Sequence, residues 1–167
     1  AVLLIALAAA VGHAFGRFSY GVVLPAVRDD MGITNALAGS IGAANVSAYL
    51  LGTIVVAWAT SRFRLASVMR LGLVLVTLGL LIASKATGPW SLSAGLFLTG
   101  MGGAFLWIPS PVIAADALPD NQRHLAVGWL GSGVGLGIMF ASIVAGMLRS
   151  SEGDSSWSSV YQIQFGV

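Results

Sequence analysis

Residues 125–148 read LAVGWLGSGVGLGIMFASIVAGML, 24 positions without one charge. A run of about 18 apolar residues is enough for a helix to cross a hydrocarbon core of about 30 Å. Residues 31–61 and 86–115 are also free of charge. Two shorter runs complete the set: 1–16, resuming at 18–27 after Arg17, and 71–84, extending back past Arg70 to about Leu65. Five spans are therefore expected, at 1–25, 35–60, 66–84, 90–115 and 125–148. The runs are continuous and do not alternate, so they predict helices and not barrel strands.

The composition agrees. Of 167 residues, 57% are hydrophobic and 8% are charged. A soluble domain carries about 25% charged residues, so this chain cannot coat a water-facing surface. A net charge of +2 is too small a footprint for nucleic acid. There are no cysteines and only two histidines, His13 and His124. Disulfide scaffolds, thiol nucleophiles and metal sites are thereby disfavoured, and no cofactor is expected. The expected partner is the lipid bilayer.

The links at about 26–34, 61–65, 85–89, 116–124 and 149–156 are short, which makes neighbouring helices antiparallel. The fold class is an all-α integral membrane bundle in a single domain, 1–167. The first span lacks the basic leader and cleavage site of a signal peptide. Eleven residues follow Ser156, too few to span; they predict the start of a sixth helix at 157–167. The reading expects a fragment of a longer protein. One side of the bundle holds Arg62, Arg64, Arg70 and Arg123, the other Arg28, Lys85 and Arg149. Basic loops stay cytoplasmic, so the N-terminus is expected in the cytoplasm.

Within the spans, Gly131/Gly135 and Gly133/Gly137 are spaced by four, and 35–60 carries Gly39, Gly42, Asn45, Tyr49 and Gly52. Small residues at this spacing let helix backbones approach. They serve either tight packing or helices that rock. Pro109 and Pro111 remove backbone donors and predict a kink in the fourth span. His13, Arg17 and Tyr20, spaced by four and three, share one helical face. Arg17 is the one charge well inside a span. Such a residue faces a cavity or a partner, or snorkels along the roughly 12 Å to Pro25; both readings stand. His13 is the intramembrane group suited to carry a proton, or else a packing residue. Trp107 and Trp129 either stack a substrate ring or pack. The sequon Asn45-Val46-Ser47 lies mid-span and is discounted. Gly131-Ser132-Gly133 has no histidine in a later span to act as base, so an intramembrane hydrolase ranks low.

The run Gly16-Arg17-Phe18-x-Tyr20-Gly21, with Pro25 and Asp30-Met31-Gly32, resembles the major facilitator superfamily. The likeness covers nearly the whole chain as five helices of an N-terminal half, and is closest to the YbfB/YjiJ-like branch. That superfamily's loop between its second and third helices reads like G-x-L-A-D-R-x-G-R-R. Here Ser61 replaces the aspartate, Arg62 keeps the arginine and Arg64 replaces the glycine. The helix-four arginine of proton-coupled members is Leu96, and the fifth span lacks the antiporter proline.

The resemblance implies a twelve-helix secondary transporter in a bacterial cytoplasmic membrane, moving a small solute by alternating access. The C-terminal half is then an expected partner. His13, Arg17, Tyr20, Asn45, Tyr49 and Trp107 are the candidates for the substrate path. Gly39, Gly42, Gly52, Gly131, Gly133, Gly135 and Gly137 are the candidates for packing and gating. No catalytic residue is expected. The rival to transport is a structural or assembly protein of the membrane.

Overall fold

The computed structural model describes residues 2–166, and the side chains of these apart from 2, 3 and 9–11. Ala1 of the expected first span and Val167 of the expected sixth helix lie outside the described residues. The chain is helical nearly throughout: α1 (Val2–Ala10), a π-helical stretch (Val11–Phe18), α2 (Ser19–Met31), α3 (Asn35–Ala59), α4 (Leu65–Ser84), α5 (Pro89–Trp107), α6 (Ser110–Asp116), α7 (Ala126–Glu152) and α8 (Trp157–Gly166). Short 3-10 turns, Asp120–Leu125 and Gly153–Ser156, precede α7 and α8. Five helical segments among the described residues are long and apolar enough to cross a membrane. The chain is an integral membrane helix bundle.

Helix ends follow local chemistry. α2 runs past Pro25 to Met31, beyond the expected limit, and stops where Gly32 adopts φ 60°, a left-handed cap that a side chain would resist. α3 begins at the Thr34 cap, whose Oγ1 accepts from the Leu37 amide. α7 reaches Glu152, through residues whose polarity predicts a loop; Gly153, at φ 76°, ends it. The fourth span is interrupted at Ile108 and Pro109, between α5 and α6, where the prolines predict a kink. Pro109 and Pro111 withdraw the donors that the carbonyls of Phe105 and Trp107 would take. Between them, Ser110 Oγ donates to Leu106 O at 2.5 Å.

α5 lies between α3 and α4 as the central helix, α7 packs on α1, and α8 packs on α4. The α4–α5 contact is made by glycines. Gly72 meets Gly102 and Gly79 meets Gly95. The members of each helix are seven residues apart, two turns, as an antiparallel register requires. A Cβ on Gly79 would lie 2.7 Å from Gly95 O, and one on Gly102 would lie 2.8 Å from Gly72 O. Backbone approach of this kind supplies dispersion contact where lipid removes the hydrophobic drive between helices.

At one end of the bundle the α2, α7 and α8 ends are tied together. Arg149 bridges Asp154 at 2.8 Å and Asp29 at 3.4 Å. Trp157 Nε1 donates to Asp30 Oδ2 at 2.8 Å.

Candidate functional site

The chain's departure from α-helical geometry falls on the residues that carry its one deep charge. Residues 11–18 form a π-helix, with a wider turn than an α-helix. Such turns recur at functional sites because they re-aim side chains and disturb the backbone bonding. In a wider turn, residues four apart lie close to one above the other, so His13 and Arg17 point the same way.

Both side chains enter an aromatic cluster built by three elements. His13 stacks on Trp107 of α5, ring centroids 4.3 Å apart and planes 30° apart. It also meets the edge of Tyr49 of α3 at 5.7 Å. The Arg17 guanidinium sits over the Tyr49 ring, 4.1 Å from its centroid, and 5.8 Å from that of Phe18. A cation over a ring face is stabilised by about 0.5–2 kcal/mol, more as water is removed. Arg17 is half-buried and makes no ion pair among the described residues. His13 is buried, and its Nδ1 has no hydrogen-bond partner among them. Asp116, the acid nearest a membrane position in the sequence, is exposed at the end of α6.

Gly103, one turn before Trp107 on α5, lets the Gly12 carbonyl approach: a Cβ there would lie 3.3 Å from Gly12 O and in ordinary contact with Tyr49 Cδ2 at 3.8 Å.

Six substrate-path candidates divide into two groups. His13, Arg17, Tyr49 and Trp107 come together. Tyr20 does not join them: in the α-helix after the π turn it is buried, donating its hydroxyl to Ala38 O at 2.7 Å over Gly42. The expected common face of His13, Arg17 and Tyr20 is therefore broken by the change of helix type. Asn45 is 2% exposed and spends its amide on three acceptors: Gly16 O at 2.9 Å, Leu96 O at 2.7 Å and Thr99 Oγ1 at 3.0 Å. It ties α3, the π-helix and α5 behind the cluster. Trp129 is exposed and apart from it.

The glycine candidates also divide. Gly52 abuts Ala104 and Met101 O, Gly133 abuts Ala6 O, and Gly137 is buried. Gly39, Gly131 and Gly135 face open space among the described residues. The two α7 pairs are offset by two residues, about 200° around a helix, so Gly133 packs on α1 and Gly137 is buried while Gly131 and Gly135 face outward. Ser61, Arg62 and Arg64 are exposed in the α3–α4 turn.

Sequence reading missed Phe18 and Gly103 in the cluster, Thr99 beneath Asn45, and the α4–α5 glycines Gly72, Gly79 and Gly95. The seven-residue spacing of the glycines was the available signal for the last of these.

The family model of the Major Facilitator Superfamily matches residues 6–167 of this chain. The chain belongs to that superfamily. The superfamily is one of membrane transporters and not of enzymes. It is also similar to the "Tetracycline resistance protein, class B" of Escherichia coli. The two are 29% identical over 127 residues, which cover 74% of this chain and 31% of that protein. The chain spans about a third of the length of this superfamily relative.

Proposed function

We propose that the protein is a secondary active transporter that moves a small anionic solute by alternating access, with this chain as its N-terminal half. The observation that carries the reading is Arg17. A charge inside a span is retained at a cost of several kcal/mol, and here it rests on the Tyr49 ring without a carboxylate partner among the described residues. Its positive charge is thus open to an anion, while Trp107, Tyr49 and Phe18 offer ring faces to a planar body. His13, whose imidazole lies in the same cluster, is the proposed proton carrier.

The outward-facing glycines Gly131 and Gly135 are the proposed contact with the other half. The proposed setting is a bacterial cytoplasmic membrane with the N-terminus inside, following the loop arginines. Placement in the YbfB/YjiJ-like branch rests on the Gly16-Arg17-Phe18-x-Tyr20-Gly21 run. The relative named for tetracycline resistance makes planar, ring-containing anions the first compounds to try.

The test is transport in proteoliposomes by the full-length protein, wild type against Arg17→Ala and Arg17→Lys. Arg17→Ala is expected to abolish anion transport, and Arg17→Lys to retain part of it. Unchanged anion transport in both variants refutes the role of Arg17.

A further inference from the structure

The α3–α4 turn joins two features that the transport reading leaves unused. One is an apolar groove of about 300 Å³, lined by Trp58, Phe63, Val68, Leu71 and the buried Phe105. Trp58 and Phe63 meet edge to face, centroids 6.2 Å apart, at its mouth. The other is a cluster of three arginines: Arg62 and Arg64 flank Phe63, and Arg70 precedes Leu71. All three are exposed. None forms an ion pair among the described residues, whereas Arg28, Arg123 and Arg149 each pair with an aspartate.

We propose that this groove and its arginines bind one anionic phospholipid, an acyl chain lying against Trp58, Leu71 and Phe105 and the phosphate held by Arg62, Arg64 and Arg70. Charge complementarity selects the occupant. A neutral lipid satisfies the groove but leaves three arginines without an anion. A soluble anion satisfies the arginines but has no use for an apolar trough. Arg64 lies at the helix end and Arg70 about 9 Å further along α4. Its long side chain can reach back toward the headgroup level. Trp58 and Phe63 are exposed aromatic side chains of the kind that anchor at the headgroup level.

Trp58 supplies the reporter. The full-length protein is reconstituted into bilayers containing phosphatidylglycerol or phosphatidylcholine with brominated acyl chains, which quench a neighbouring tryptophan. Subtracting the signal of Trp58→Phe isolates the groove. Each basic residue near the surface contributes roughly a fivefold factor toward anionic lipid. Quenching of Trp58 is therefore expected to report at least a tenfold preference for phosphatidylglycerol.

Arg62→Gln/Arg64→Gln/Arg70→Gln is expected to abolish that preference, while Arg123→Gln leaves it intact. Leu71→Trp, which fills the groove without touching a charge, is expected to displace the brominated chain whatever its headgroup, with the Trp58→Phe/Leu71→Trp protein as its reference. Equal quenching by the two lipids in the wild type overturns the proposal. So does an undiminished preference in the triple variant. Loss of the preference on adding millimolar inorganic phosphate also overturns it, by making a soluble anion the ligand. The measurement does not depend on transport, so it stands or falls separately from the role of Arg17.

Discussion

Replacing Asn45 with leucine tests whether one amide holds three helical segments together. The side chains are similar in size, so the change mainly removes hydrogen bonds. Asn45 Nδ2 has two protons shared among Gly16 O, Leu96 O and Thr99 Oγ1. The three acceptors do not suffer equally. Leu96 O keeps the Thr99 hydroxyl at 2.9 Å, and Thr99 retains its role as a donor. Gly16 O loses its side-chain donor at a point where the π-helix has already disturbed backbone pairing.

Interhelical hydrogen bonds in membranes average about 0.6 kcal/mol, reaching about 1.7. Two lost bonds and one carbonyl deprived of its donor then cost about 1.5–3 kcal/mol. Thr99→Val removes one of three acceptors and should cost less than about 1 kcal/mol. Combined with Asn45→Leu it should cost less than the sum, because the two side chains share a bond. The assay is reversible unfolding of the full-length protein in mixed micelles, read by steric trapping or by denaturing-detergent titration. Stability of Asn45→Leu within about 0.5 kcal/mol of wild type would refute the reasoning. Strict additivity of the two changes would refute the shared bond.

Two further outcomes follow from the packing. Gly79→Ala places a Cβ 2.7 Å from Gly95 O and 2.8 Å from the Thr99 amide nitrogen, backbone that cannot yield cheaply. It should destabilise by about 1–3 kcal/mol, whereas Gly21→Ala, in α2, meets nothing within 4 Å and should be neutral or stabilising by up to about 1 kcal/mol. The same unfolding assay checks both, and equal effects would contradict the assignment of faces. Asp30→Ala removes the acceptor of Trp157 Nε1 without altering the tryptophan. A part-exposed charged hydrogen bond predicts a loss of about 1 kcal/mol, and an unchanged midpoint would show that the α2–α8 tie contributes nothing.

The membrane class of this chain was legible without coordinates because it depends on a one-dimensional quantity. A stretch such as 125–148 either carries charge or does not, and lipid leaves a helix as the one way to satisfy its backbone. Arg17 stood out for the same reason. The kink at Pro109 and Pro111 was equally local, since a missing donor is a property of the residue itself.

What lay beyond the sequence was the partner of each side chain. The face shared by His13, Arg17 and Tyr20 assumes 3.6 residues per turn, and the π-helix at 11–18 is a product of packing that no residue in it announces. That turn sends Arg17 onto Tyr49 and leaves Tyr20 to bond Ala38. Likewise Gly133 and Gly131 look alike in the sequence, but only the arrangement of α1 against α7 makes the first a contact and leaves the second open. The sequence by itself determined that there would be a helical bundle with one charge inside it. The tertiary structure decided which rings surround that charge, because stacking and close backbone approach depend on residues tens of positions apart meeting within a few ångströms.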